Sequence, residues 1–226
     1  MLPGFDTLYE RHRTYRLIGT GKVIWWSYIC RVKSYEKIID YIGKFVQLTD
    51  EEKNAFTACF KEVRVVKRQF IVQPGFTARS RWFVIKGALR AYVVGDEGQD
   101  HTIQLAIDEW WISDYNSYIY QQPASMFVAA LEDCVLLQIN FEDEKMLKAS
   151  NYKFETFFRI MAERSTASMQ RRLIVNLTMS AEERYNSFME KYPLMAERIP
   201  QYAIASYLGM TTEFLSKIRN RKLKRS

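Results

Sequence analysis

Four side chains near the C-terminus are of the types that read DNA base edges. Thr212, Glu213, Ser216 and Lys217 lie in the stretch IASYLGMTTEFLSKIRNRK, which begins at Ile204. A threonine methyl group can contact thymine, a carboxylate can accept from the cytosine amino group, and a lysine can donate to guanine. The residues around them are suited to phosphate contacts: Thr211, Arg219, Arg221, Lys222, Lys224 and Arg225. Together these residues predict a surface for double-stranded DNA.

The apolar residues around this surface predict the two helices that would hold it. They are Ile204, Leu208, Met210, Leu215 and Ile218. Ala205 is small enough for two helices to cross closely, and Gly209 permits the left-handed backbone of a turn between them. Thr211 is placed to cap the second helix. The pattern is that of a helix-turn-helix, and the simpler alternative is a helical hairpin with a solvated basic tail.

The charge is concentrated at the two ends of the chain. The 226 residues carry a net charge of +7, with a pI of about 9.2. Residues 1–35 hold six cations and two acids, residues 36–216 hold 21 cations and 24 acids, and the last ten residues hold six cations and no acid. Such a distribution favours a local patch for a polyanion over a generally basic surface.

The composition and motifs do not indicate a metalloprotein, an enzyme or a membrane protein. The three cysteines, Cys30, Cys59 and Cys134, form no Cys-x-x-Cys pair, so we expect no metal, no cofactor and reduced thiols in the cytoplasm. No nucleophile elbow or glycine-rich phosphate loop is visible, and we therefore expect no enzyme activity. The apolar run VIWWSYIC is too short to span a membrane, so no membrane partner is expected.

The residues before the C-terminal surface divide into an extension and a strand-rich region. Residues 1–35 show no clear period; we expect a poorly ordered extension or a misassigned start, or else an arm packed on the body. Helical patterning begins near residue 36, and a capping box at Thr49 and Glu52 opens a further helix. From Glu62 onward, short strands alternate with turns such as Pro74–Gly75, which predicts a barrel or jelly roll.

A long helix is predicted from about Lys153 to Asn176. Its shared apolar face consists of Phe154, Phe158, Met161, Ser165 and Met169. A helix of some 24 residues is about 36 Å long, which exceeds what a small barrel can cover. We therefore expect a seam between two copies of the chain, the alternative being a core helix of the barrel. Ser180 and Glu183 form a second capping box and open the next helix.

The order of these parts resembles the Crp–Fnr family of bacterial transcription regulators, from about Tyr35 onward. WFVIKGALRAYVV is similar to the strand–Lys–Gly–strand hairpin of the family, and WISDYNSYIYQQPASMFVAAL is similar to its phosphate-binding cassette. The C-terminal stretch resembles short family members of Bacteroidetes-type bacteria. The resemblance implies an α+β fold with a cyclic-nucleotide-binding-like β-roll over 36–142, a dimerisation helix over 143–178 and a helix-turn-helix domain over 179–226.

The cassette departs from the family pattern where the ligand would bind. Members that bind cyclic nucleotides offer Gly-Glu to the ribose and Arg-Ser to the cyclic phosphate, whereas this chain has Ser113–Asp114 and Ala124–Ser125. The arginine that would pair a buried phosphate is absent, so cyclic AMP is not expected to bind. The degenerate pocket would comprise Ser113, Asp114, Tyr115, Asn116, Ala124 and Ser125. Binding of a cyclic nucleotide would require another cation, such as Arg90, to replace the missing arginine.

The resemblance implies a homodimeric transcription regulator that reads a near-palindromic operator. Its partners would be double-stranded DNA, a second copy of the chain, RNA polymerase and a small-molecule effector of unknown identity. His101 is the sole histidine in the predicted roll, which gives little support to a haem sensor. Two alternatives stay open: a cupin-like sensor, and a ligand-binding or scaffold protein whose basic tail touches nucleic acid.

Overall fold

The computed structural model describes residues 34–223, and the side chains of residues 34–221. The predicted extension therefore lies outside the described residues, apart from its last two positions. Cys30, Lys224 and Arg225 also lie outside them, as does the side chain of Lys222.

The described chain contains helices and strands in the predicted order. The helices are α1 (described over 34–43), α2 (Asp50–Ala58), α3 (Tyr115–Tyr120), α4 (Phe141–Ser150), α5 (Tyr152–Thr178), α6 (Ala181–Lys191), α7 (Pro193–Arg198), α8 (Gln201–Tyr207) and α9 (Thr212–Leu223). The strands are β1 (Lys61–Val65), β2 (Phe70–Val72), β3 (Ser80–Lys86), β4 (Leu89–Val94), β5 (Asp100–Ala106), β6 (Trp111–Ile112), β7 (Phe127–Ala130) and β8 (Cys134–Asn140). The expected α+β class is confirmed.

Two antiparallel four-stranded sheets form the β-roll. One sheet has the order β1-β8-β3-β6 and the other has the order β2-β7-β4-β5. Apolar side chains from both sheets fill the space between them, among them Trp82, Leu89, Val128 and Leu136. The short strands and frequent turns of the sequence thus form a jelly-roll sandwich, as predicted.

The Lys86–Gly87 turn differs from its prediction as a hairpin. It joins β3 to β4, which belong to different sheets, so the chain crosses from one sheet to the other there. Gly87 has a φ of 126°, and a Cβ at this position would lie 2.4 Å from Sγ of Cys134. The close approach excludes any side chain. A hairpin is instead formed by β4 and β5, which are joined by the segment GDEGQD at residues 95–100.

The helices on the outer face of the first sheet share an aromatic core with it. Phe56 of α2 stacks on Phe154 of α5 with a ring-centroid distance of 5.6 Å, and Phe157 lies 5.1 Å from Phe158. Both predicted capping boxes, at the starts of α2 and α6, are present. The first turns of α5 are therefore fixed against the roll before the helix extends beyond it.

Candidate nucleic-acid interface and ligand cassette

The predicted C-terminal helix pair is present as α8 and α9. Gly209 lies between them with a φ of 67°, the left-handed conformation that the turn requires. The hydroxyl of Thr211 accepts from the N–H of Phe214 at 3.2 Å, which caps α9. Ala205 is 1% exposed and Leu215 is 1% exposed, so the two helices cross closely through these side chains.

The residues predicted to read bases lie on the side of α9 away from α8. Leu215 and Ile218 are buried against α8, whereas Glu213 and Lys217 are exposed, and Thr212 and Ser216 are partly exposed. The pKa of the Glu213 carboxyl is lowered by its own backbone N–H and then by the Thr211 hydroxyl, with a smaller contribution from Lys217. The exposed side therefore offers an anionic acceptor beside a cationic donor.

The predicted phosphate contacts are only partly described by the structure. Arg219 and Arg221 are exposed on α9. Thr211 is also exposed, but its hydroxyl is engaged in capping α9. The side chain of Lys222 and all of Lys224 and Arg225 lie outside the described residues.

The first helix of the pair is docked on the β-roll through a serine that the sequence did not single out. Ser206 of α8 donates to the carbonyl oxygen of Asp100 at 2.6 Å. Its hydroxyl oxygen also lies 2.8 Å from the backbone nitrogen of Thr102 and 2.9 Å from the Thr102 hydroxyl. Thr102 is 1% exposed, so its side of the contact is buried, whereas the bond to Asp100 lies at the surface.

Arg172 connects its own helix, α5, to β5 and α8, and no sequence pattern predicted this role. Its guanidinium donates to the carbonyl oxygens of Ile103, Thr102 and Tyr207, the last at 3.1 Å, and lies 4.1 Å from the ring centroid of Tyr207. Burial lowers the pKa of this arginine. The contacts tie the long helix, β5 and α8 together.

A second contact between the roll and the C-terminal helices is ionic. Arg198 of α7 pairs with Asp108 at 2.9 Å and with Glu132. A cavity of about 560 Å³ opens beside this pair, lined by Lys67, Lys86, Asp108, Glu132, Asp133 and Arg198. Its wall holds three cations and three acids, so the electrostatic preference for one sign of ligand is small.

The predicted effector residues are divided between the interior and the surface. Ser113, Asp114 and Ala124 are buried, while Tyr115, Asn116 and Ser125 are exposed. The Ser113 hydroxyl donates to the carbonyl oxygen of Ser80 at 2.9 Å. A second cavity, of about 430 Å³, is lined by residues between positions 70 and 82. Neither of the two cavities is lined by the predicted cassette residues.

Asp114 is the centre of the cassette. It caps α3 by accepting from the N–H of Ser117 at 3.0 Å through Oδ1. Through Oδ2 it accepts from the N–H of Ser125 at 2.9 Å, from the Ser125 hydroxyl at 3.4 Å and from the N–H of Met126 at 3.1 Å. The residue is 0% exposed, so its carboxyl group faces these donors and not a solvent-filled pocket.

Arg90, considered as a substitute for the missing cassette arginine, is engaged elsewhere. It forms an ion pair with Asp100, and its guanidinium lies 3.9 Å from the ring centroid of Tyr92 and 5.0 Å from that of Tyr202 on α8. The cation is thus part of the contact between β4, β5 and the C-terminal helices. His101, the histidine of the roll, is exposed.

A buried polar cluster joins the cassette helix to the long helix. Tyr118 of α3 donates to Glu144 of α4 at 2.8 Å, and Glu144 pairs with Arg81 at 2.5 Å. The Arg81 guanidinium lies 4.5 Å from the ring centroid of Phe158 on α5. Burial, followed by the Glu144 charge, raises the pKa of Tyr118.

The predicted dimer seam needs a correction for three of its five residues. Phe154, Phe158 and Met161 are at most 9% exposed and pack within the chain against the roll, so they cannot face a second copy. Ser165 and Met169 are exposed. The apolar side chains left uncovered lie further along α5: Met169, Leu173, Ile174 and Leu177 are 54–76% exposed.

Two classes of site were not found in the described residues. No cluster of three or more His, Cys, Asp or Glu side chains there could hold a metal ion. Among the helices of that same part of the chain, none has the length and apolar character needed to cross a membrane.

Comparison with known proteins identifies the strand-rich region. Residues 62–151 match the family model for the cyclic nucleotide-binding domain. A search of curated protein sequences found no significant match.

Solved structures of bacterial regulators share the fold of this chain over about three quarters of its length. FixK2 from Bradyrhizobium japonicum has a TM-score of 0.66 at 15% identity, covering 74% of this chain and 85% of that chain. CLP from Xanthomonas campestris, a c-di-GMP-responsive global regulator, has a TM-score of 0.63 at 13% identity, covering 78% and 93%. A Crp/Fnr family regulator from Eubacterium rectale has a TM-score of 0.59 at 17% identity, covering 78% and 85%. The chain therefore contains a cyclic nucleotide-binding domain at residues 62–151 and has the fold of Crp–Fnr family transcription regulators.

Proposed function

We propose that the protein is a homodimeric transcription regulator that reads a near-palindromic DNA site and does not respond to cyclic AMP. The observation that carries the proposal is the exposed side of α9. There Glu213 and Lys217 project from a helix whose opposite side, with Leu215 and Ile218, is held by α8. A capped helix with these side chains free on one side has the form of a recognition helix for the major groove.

Charge on the same helix supports duplex binding. Lys217, Arg219 and Arg221 are exposed, and Glu213 is the one acidic residue within α9. Cations beside the base-reading positions would neutralise phosphates and release counterions. The base-reading role is thus assigned to Thr212, Glu213, Ser216 and Lys217, as the sequence predicted.

Dimerisation is supported by the uncovered apolar side chains of α5. Met169, Leu173 and Leu177 recur every four residues and so lie along one side of the helix. A two-fold pairing along this side would bury them and give a dimer with two symmetry-related copies of α9. Half-sites should then be separated by about 10 base pairs or a small multiple of that spacing.

Selection from random duplex DNA tests the proposal. The full chain should enrich a motif with two-fold symmetry, and scrambling one half-site should weaken its binding by about 1–3 kcal/mol for each essential base pair lost. A duplex of the same composition with both half-sites scrambled is the control. If no motif is enriched and every duplex binds equally weakly, the protein is not a sequence-specific regulator.

A further inference from the structure

We propose that Asp114 is a built-in anion that occupies the anion-binding cradle of the cassette, so the cassette is closed without a ligand. The cradle consists of the backbone N–H groups of Ser117, Ser125 and Met126 together with the Ser125 hydroxyl. All of these groups are donors directed at the two oxygens of one carboxyl group. Converging N–H groups of this kind, particularly from consecutive residues, form sites for anions in many proteins.

Capping of α3 alone does not explain this arrangement. A helix cap needs one side-chain oxygen that accepts from the first turn, and Oδ1 of Asp114 does this with the N–H of Ser117. The other oxygen leaves the helix and accepts from two consecutive residues of the following loop, Ser125 and Met126. Asp114 therefore fastens the loop to the helix, as a bound anion would.

An external anion has neither room nor compensating charge at this position. Asp114 is 0% exposed, and its side-chain partners among the described residues are N–H and O–H donors only. Ala124, where a cation would be needed, is 5% exposed and packs in the core between the two sheets with Trp82. A second negative charge placed beside the carboxyl group would be repelled without a cation to offset it.

The closed cassette is connected to the long helix. Tyr118, on the same short helix that Asp114 caps, donates to Glu144, which pairs with Arg81 beside Phe158 of α5. Fixing α3 through Asp114 therefore also fixes the buried cluster that supports α5. If the protein acts as the regulator proposed above, it should bind its operator without any added effector, because the contacts that an effector would make are already present.

The test is a thermal melt of the full chain carrying Asp114→Ser, in sodium formate and in sodium chloride at the same ionic strength. Serine keeps a capping oxygen for Ser117 and removes the oxygen that reaches Ser125 and Met126. The variant should melt about 4–24 °C below the wild type in chloride, because the partly buried N–H groups of Ser125 and Met126 lose their acceptor. Formate at ten times its dissociation constant should restore about 3–6 °C by occupying the cradle.

Asn140→Ser is the matched control. Asn140 also caps a helix, α4, and accepts from the N–H of Asp143, but its side-chain oxygen receives nothing from a second loop. For this variant, and likewise for the wild type, the melting temperature in formate should equal the melting temperature in chloride. An Asp114→Ser protein that melts like the wild type, or that responds equally to formate and chloride, would overturn the proposal.

A second measurement needs no variant that might fail to fold. In wild-type protein the amide hydrogens of Ser125 and Met126 should exchange at least tenfold more slowly than those of the exposed β4–β5 turn. Exchange at the rate of that turn would contradict the proposal. Neither measurement uses DNA. The melting temperatures and exchange rates therefore test the role of Asp114 separately from the DNA selection that tests the regulator proposal.

Discussion

Replacing Ser206 with alanine should weaken the contact between α8 and the β-roll. The serine hydroxyl lies 2.8 Å from the N–H of Thr102, which is 1% exposed, and donates to Asp100 at 2.6 Å. Without it, a buried N–H has no acceptor, which costs about 1–3 kcal/mol. At about 2–4 °C per kcal/mol for a chain of this size, the melting temperature should fall by about 2–12 °C.

Differential scanning calorimetry of the full chain measures this effect, with Ser150→Ala as the matched control. Ser150 is exposed at the end of α4 and donates only to the nearby carbonyl oxygen of Leu147. Its replacement should change the melting temperature by less than about 2 °C, as for most surface substitutions. If Ser206→Ala is no more destabilising than Ser150→Ala, α8 does not dock on β5 in solution, and the proposed link between roll and helix pair is wrong.

Three further predictions concern the dimer, the cassette and an ion pair. Leu173→Glu should convert the dimer to monomer in analytical ultracentrifugation because it places a charge in the apolar seam. Ser168→Glu, on the opposite side of α5, should leave the dimer intact. A wild-type protein that is already monomeric would contradict dimerisation through this seam. Calorimetric titration of the wild type with cyclic AMP and cyclic GMP should show no micromolar binding, and tight binding of either nucleotide would refute the ligand-independent cassette. Hydrogen bonding to Lys153 is the largest cause of the lowered pKa of the Glu52 carboxyl, which falls from 4.5 to about 2. The stabilisation of the folded state by this ionised carboxyl is therefore complete above about pH 4.5 and is lost as the pH falls toward 2. The difference in melting temperature between the wild type and Glu52→Gln should therefore be constant above pH 5 and shrink below pH 4.5. A difference that persists unchanged at pH 3 would contradict the assignment.

Local patterns in the sequence were sufficient to predict the helix pair. Gly209 and Thr211 act within a few residues of their own positions, as a turn and a cap, and the apolar residues repeat with the helical period. The jelly roll was also predictable, because its strands are short and separated by turns. The pairing of β3 and β4 in different sheets was not, since a turn signal does not specify which strands become neighbours.

The predicted seam shows a second limit of sequence periodicity. The helical period correctly showed that Phe154 and Phe158 share one side of a helix, but it did not show what covers that side. In the folded chain α2 and the first sheet cover it, and only the later turns of α5 remain uncovered. The length of α5 was therefore a better guide to an uncovered apolar surface than the positions of its most apolar residues.

The polar residues that organise the site were the least predictable. Ser206 and Arg172 belong to no sequence pattern. The partners of Ser206 lie 104 and 106 residues away along the chain, and those of Arg172 lie 35, 69 and 70 residues away. Asp114 was singled out, but as a residue that would face an effector. Its actual partners are backbone N–H groups, whose directions depend on the fold and cannot be read from residue types.

Titration of the selected operator at several salt concentrations tests the central claim, that α9 reads sequence. Glu213→Ala should lose about 1–3 kcal/mol on the selected site and almost nothing on a scrambled duplex, because it removes a base contact. Arg219→Ala should weaken binding to both duplexes alike and reduce the salt slope by about one, because it removes a phosphate contact. Equal losses on both duplexes for Glu213→Ala, with no change in base preference, would contradict the assignment of α9 as a recognition helix.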